Sequence, residues 1–335
     1  MQTLNKRVLN YFIVPTLLIL FAVFVNRNIT FESHSLGLSL QYYSSIFPSS
    51  EGVLQPHRIL LPFLGHIFNL DLQILNLFIL FVFLSVLFNY LQKIRSFNEA
   101  LIICLCLCSG MFVQFHLNFG GYPDILSYLL LFLAYLYKEK PLTPYLLLFF
   151  ALLVKETVIF TFLFYFSLKQ ISKLKVIAIV LFFIPIYLYL AEGVFNLSFY
   201  IEPLKSNFLY WISQSSNYFL LGAFSTIKFM WIVIFFFLYK NINISMPLVF
   251  LLLGICSQFI LGGDTTRFFS FIFLGLIYIY DNFEIKHFQM LHIAILIGNV
   301  ITKKYYVFAF GEMTIINESR LSPLDIYELM VDLLF

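Results

Sequence analysis

Long apolar runs separated by short polar connectors fill the chain from Tyr11 to Thr302. Runs apolar on every face predict helices in lipid or in a fully buried core, not the one-sided stripe of a surface helix. The first extends from Tyr11 to Val25, and later spans are expected near 72–91, 100–116, 123–137, 142–154, 157–168, 175–190, 217–239, 246–261, 268–280 and 288–302, about eleven in all. Residues 26–69 are too polar to cross, yet they hold SLGLSLQYYSSIF and RILLPFLGHIF. Each is about three turns long and is expected to lie as a helix on the outer interface. The second opens at Gln55-Pro56-His57-Arg58, with Pro62 a turn later. The runs 142–154 and 157–168 would each reach only about 20 Å, against a hydrocarbon core of roughly 30 Å. Their junction, Lys155-Glu156, is therefore expected to dip below the outer surface.

Composition turns this pattern into a class. Of the 335 residues 61% are hydrophobic and 11% charged, against about 45–50% and about 25% in soluble domains. The expectation is an all-α integral membrane protein forming one polytopic domain, 1–335, in a plasma (bacterial inner) membrane, with 305–335 as an outer tail ending in an amphipathic surface helix. Cys104, Cys106, Cys108 and Cys256 lie inside apolar runs, where a small buried hydrophobe is their ordinary role. Lys6 and Arg7 precede the first run, so it reads as a retained anchor with a cytoplasmic N-terminus.

With that orientation the short cytoplasmic connectors hold Lys93, Arg95, Lys138, Lys140, Lys169, Lys173, Lys175, Lys240 and Lys286. Of the 17 carboxylates only Glu99, Glu139, Asp281 and Glu284 fall inside. Carboxylates do not set orientation, so their gathering outside asks for a functional reason. A charge set into hydrocarbon costs several kcal/mol unless it faces water, a partner or a ligand. That marks Lys155 and Glu156.

These features resemble the GT-C glycosyltransferases, which include the protein mannosyltransferases and bacterial enzymes using polyprenyl-phosphate sugars. The shared elements are an acidic outer loop after the first span, an interfacial helix opened by Gln55-Pro56-His57-Arg58-Ile59-Leu60-Leu61-Pro62, a span ending in cytoplasmic cations, and an outer loop whose Asp enters the next span. The likeness covers mainly 1–170, taken as a GT-C-like core, with 171–304 as additional transmembrane helices. In place of the family's usual acidic pair the first loop has Glu32, with Glu51 further on.

The resemblance implies sugar transfer from a polyprenyl-phosphate donor to a glycan or lipid acceptor on the outer face. Such chemistry needs a carboxylate to take the acceptor's proton and cations to hold the departing phosphate. Glu32 and Asp124 are the catalytic candidates, Asp124 following the tight turn Gly120-Gly121-Tyr122-Pro123. Substrate-binding candidates are His57, Arg58, Lys155, Glu156, Asp264 and Arg267, the last two in Gly262-Gly263-Asp264-Thr265-Thr266-Arg267. Arg suits phosphate because its planar fork gives two parallel hydrogen bonds. Plainer roles stand beside these: Asp124 as a helix cap, Glu32 and His34 as solvated loop residues, Arg267 as an interfacial anchor, and Lys155 with Glu156 as a mutual ion pair. Lys228 is expected to pack against a polar partner or to snorkel, with no role in the chemistry.

No cofactor is implied, and a divalent metal is left open. There is no Walker loop, dinucleotide-binding glycine motif or zinc spacing, and the 44 Phe and 21 Tyr suit lipid and interface, not nucleic acid. A transporter or flippase, or a polysaccharide polymerase or ligase, would also use outer-face charges. No internal inverted repeat is visible, which favours the transferase over the transporter.

Overall fold

The computed structural model describes residues 8–26, 32–33, 35–53, 55–190, 216–240, 246–258, 265–283, 288–307 and 313–316. Among these the protein is all-α apart from two small two-stranded sheets. A π-helical turn leads into α1 (Val14–Asn26), followed by β1 (Glu32–Ser33), α2 (Ser35–Ile46), α3 (Leu60–Phe68), α4 (Leu72–Ile94), α5 (Phe97–Cys108) and α6 (Met111–Asn118). Next come β2 (Phe119–Gly120), α7 (Asp124–Leu136), α8 (Thr143–Val154), a 3₁₀ turn Glu156–Thr161, α9 (Phe162–Ser167) and α10 (Lys173–Leu190). The last third holds α11 (Ser216–Ile227), α12 (Trp231–Lys240), α13 (Met246–Gln258), α14 (Thr265–Phe269), α15 (Phe273–Asn282) and α16 (Phe288–Ile301), then β3 (Lys304–Val307) and β4 (Met313–Ile316).

Local chemistry fixes several boundaries. Asp71 caps α4 by accepting the Gln73 N–H at 2.7 Å, and Ser96 with Glu99 forms a capping box at the start of α5. The α5–α6 break falls at Ser109-Gly110, where a side chain on Gly110 would overlap the Thr226 carbonyl of α11. α4 is the central element, packing against α1, α5 and α7. Its buried face, including Phe83, Leu84, Leu87 and Phe88, joins one continuous apolar core.

Among the described residues three helices are long and apolar enough to cross a membrane: Leu72–Ile94, Lys173–Leu190 and Leu220–Lys240. A fourth arises if α5 and α6, bent by 57° at their break, count as one. The expected eleven is thus corrected to three or four. Hydropathy runs straight through breaks that end a helix, and the stretches Asp124–Leu136, Thr143–Val154, Glu156–Ser167, Met246–Gln258 and Gln289–Ile301 are each shorter than 18 residues. At 1.5 Å per residue, 13 residues reach only about 20 Å. The two helices expected in 26–69 are found as α2 and α3, packed on each other. The tail helix expected within 305–335 lies outside the described residues, of which 305–307 and 313–316 form part of an antiparallel pair.

Candidate functional site

The loop into α7 is held by close backbone approaches. Gly121 has φ +77, a conformation that favours glycine. A Cβ on Gly37 of α2 would overlap the Gly120 carbonyl. The glycines of this turn thus let its backbone pack closely against helix α2. The Asn76 side-chain amide on α4 donates to the Tyr122 carbonyl at 2.7 Å. β1 runs parallel to β2, with Glu32 opposite Phe119 and Ser33 opposite Gly120. The Glu32 backbone is thereby placed against the strand leading into Asp124, while its side chain lies outside the described residues, as do His34 and Asp264.

Asp124 is fully buried. One carboxylate oxygen accepts from Arg267 Nη2 at 2.7 Å, and the other from Lys155 Nζ and, at 3.4 Å, Arg267 Nε. The Arg267 guanidinium lies 4.7 Å from the Tyr122 ring centroid and 5.4 Å from that of Phe115. Lys155 Nζ lies 5.5 Å from the Phe271 ring centroid. Asp124 opens α7, but its carboxylate serves two cations from distant segments as well as any capping role.

Glu156 forms a second centre. Arg58 grips it bidentately, donating from Nε at 2.9 Å and Nη2 at 2.6 Å, and His57 Nε2 lies 3.1 Å from the same carboxylate. The His57 ring in turn packs on Tyr187 of α10, centroids 4.7 Å apart. Lys155 and Glu156 are thus not each other's partners. α8 ends at Lys155 with extended backbone, φ −158 and ψ 114, and successive side chains of extended chain point to opposite sides. One peptide bond consequently joins the two centres.

Six of the eight candidate residues therefore share one cluster: His57, Arg58, Asp124, Lys155, Glu156 and Arg267. Among the described residues it gathers the side chains of Arg58, Lys155 and Arg267 around those of Asp124 and Glu156. Burial pushes the Glu156 carboxyl up, but Arg58 and the His57 hydrogen bond outweigh it and hold the group well below the ordinary carboxylate range. Burial lowers the Lys155 ammonium from the ordinary lysine value, with Asp124 opposing and Arg267 and Arg58 adding to the fall.

A second charged layer fixes the height of this cluster. Asp281 of α15 accepts from Tyr90 of α4 and Tyr135 of α7, each at 2.7 Å, and from Lys138 at 2.9 Å. Arg95 donates to the Tyr280 carbonyl at 3.0 Å and also to that of Phe283. Tyr90 and Tyr135 set one end of the α4–α7 register, and Asn76 with Tyr122 sets the other. Asn76 is four residues inside α4 from Leu72, so the Tyr122 carbonyl it holds, two residues before Asp124, lies about 6 Å from that end of α4.

Sequence reasoning missed several buried polar residues. Gln114, His116 and Asn118 crowd the eight residues of α6, all of them buried. Neither ring nitrogen of His116 and neither side-chain atom of Gln114 has a hydrogen-bond partner among the described residues. Three polar residues at alternate positions in an apolar stretch were the available signal. Lys228, at φ +49, donates to the Thr302 carbonyl at 2.8 Å and to that of Asn299, at the end of α16. This is the polar packing expected for it, on the negative end of a helix dipole. Among the described residues no group of three or more His, Cys, Asp or Glu could hold a metal. No protein-family model, curated protein or solved structure matches this chain.

Proposed function

We propose that this chain is a membrane glycosyltransferase of the GT-C kind, moving a sugar from a polyprenyl-phosphate donor to a glycan or lipid acceptor on the extracytoplasmic face. The observation that supports it is the cluster that gathers Arg58, Lys155 and Arg267 around Asp124 and Glu156. Cations held together largely away from water suit a phosphate monoester or diester, and fixed donors in such a site stabilise developing negative charge strongly. In this reading the acceptor oxygen attacks the anomeric carbon, the bond from that carbon to the phosphate oxygen breaks, and the electron pair leaves with the phosphate toward Arg267 and Lys155.

The geometry favours Asp124 as the holder of those cations over Asp124 as the base, because a carboxylate gripped by two cations is poorly basic. Glu32, brought by β1 to the strand before Asp124, takes the base role in this proposal. The chain should therefore bind polyprenyl phosphate more tightly than the uncharged polyprenol, and Arg58→Lys and Arg267→Lys should each weaken that preference about tenfold or more. Equal binding of the two lipids to the wild-type protein would refute the proposal.

One observation favours a second reading, a transporter or flippase of lipid-linked substrates: α5 and α6 form a helix pair broken by 57°, and discontinuous helices build many transporter sites. Release of free polyprenyl phosphate on incubation with a sugar donor and acceptor separates the two. A transferase produces it, and a flippase leaves the donor intact.

A further inference from the structure

Beside the charge cluster, and outside it, lies a cavity of about 330 Å³ lined by Gln73, Ile74 and Leu77 of α4, His116 and Leu117 of α6, and Gly120 of β2. Ile74 is exposed and marks its rim. At its inner wall stands His116, 2% exposed. Burying a polar group without a partner is costly, and among the described residues neither His116 nitrogen has one. The ring is wedged against Phe112, Phe115 and Tyr128, so it cannot be relieved by a small rotation into water.

We propose that this cavity binds a hydroxyl group borne on an apolar carrier, with His116 as its hydrogen-bonding partner. Among the described residues the lining carries no charged side chain, which disfavours a phosphate or an ammonium. Apart from the Gln73 amide the rest of the wall is apolar, which suits hydrocarbon behind the polar end. His116 is buried among aromatic rings, which favours the uncharged imidazole. That form has one donor and one acceptor nitrogen, matching a hydroxyl, which also does both. The adjoining residue, Phe115, lies under the Arg267 guanidinium, so a hydroxyl on His116 is held next to the cations assigned to the donor phosphate. The identification of this ligand as the acceptor of sugar transfer rests on the transferase reading; the binding itself does not.

The test uses the full chain in lipid nanodiscs and two photoreactive probes, a primary alcohol of about fifteen carbons carrying a diazirine and the same molecule with hydrogen in place of the hydroxyl. The alcohol should label the Gln73 to Leu77 stretch about tenfold more efficiently than the hydrocarbon. His116→Phe should erase that difference, and His116→Gln, which keeps a donor and an acceptor, should retain part of it. Should His116→Phe fail to fold, the wild-type comparison and His116→Gln decide the matter. Equal labelling by the two probes, or a preference that survives loss of the imidazole, overturns the proposal. Polyprenyl phosphate binding measured on the same samples keeps the readings apart: its absence with alcohol labelling intact would sink the transferase and leave this site standing.

Discussion

Asp124→Asn removes one charge and almost no volume, yet it should be among the most damaging single changes in the chain. The carboxylate has no exposed surface, and its partners Lys155 and Arg267 have side chains 2% and 13% exposed. Taking one partner from a buried ion pair costs about 3–5 kcal/mol, because the remaining charge keeps its desolvation penalty without its counter-charge. Here two cations are stranded at once. At roughly 2–4 °C per kcal/mol for a chain of this size, the melting temperature should fall on the order of 10 °C.

The same reasoning predicts partial rescue. Asp124→Asn with Lys155→Met restores the net charge of the centre, and the pair should be less harmful than the sum of its single changes by about 1–3 kcal/mol. Thermal unfolding of the four proteins in one detergent, followed by intrinsic fluorescence, completes the cycle. Wild-type stability in Asp124→Asn, or strict additivity in the double variant, would refute the assignment of Asp124 as the counter-ion of a buried cluster.

A reporter fused after Gln92 and another after Gly121 should read opposite sides of the membrane, since those positions lie near the two charged ends of the α4–α7 pair; the same side for both would dismantle the orientation. Gly37→Ala should destabilise the protein by about 1–3 kcal/mol through overpacking against the Gly120 carbonyl, seen as a lower melting temperature, whereas Leu38→Ala, at an exposed position of the same helix, serves as the control. Polyprenyl phosphate binding should weaken as pH rises and should begin to do so well below the ordinary lysine value of about 10.4, because the ammonium of Lys155 is lowered by burial and its deprotonation removes one cation from the cluster. Titration between about pH 7 and about pH 10 reads this directly, and a flat profile would count against Lys155 as a phosphate partner.

The charged members of the site were legible in the sequence because ionisable residues in apolar surroundings are rare and each needs a reason. That argument picked out Lys155 and Glu156, while the GT-C resemblance and the chemistry of phosphate transfer pointed to Arg58, Asp124 and Arg267. Their pairing was not legible. Lys155 and Glu156 are neighbours in sequence, yet the extended backbone at Lys155 sends them to separate partners, and no spacing rule announces an ion pair across 98 or 143 residues. The number of spans was misread for a related reason. Hydropathy measures how apolar a stretch is, and it does not register the carbonyl of Thr226 pressing on Gly110 or the extended residue at the end of α8. His116 escaped notice because a lone uncharged histidine in an apolar run carries little signal until its two nitrogens are seen to lack partners.

The Asp281 layer has a consequence for the order in which the molecule is built. Helix α7 is completed at both ends by one short stretch of late sequence: Arg267 reaches its first residue and Asp281 its last turn, and the Arg267–Asp124 and Asp281–Lys138 pairs each span 143 residues. A chain still emerging from the ribosome has Asp124 and Lys155 but neither of these counterparts. Because chains are made and inserted from the N-terminus, α4, α7 and α8 must wait, partly matched, until α14 and α15 enter. Both charged layers then close together, and the site matures in a single late step of biogenesis.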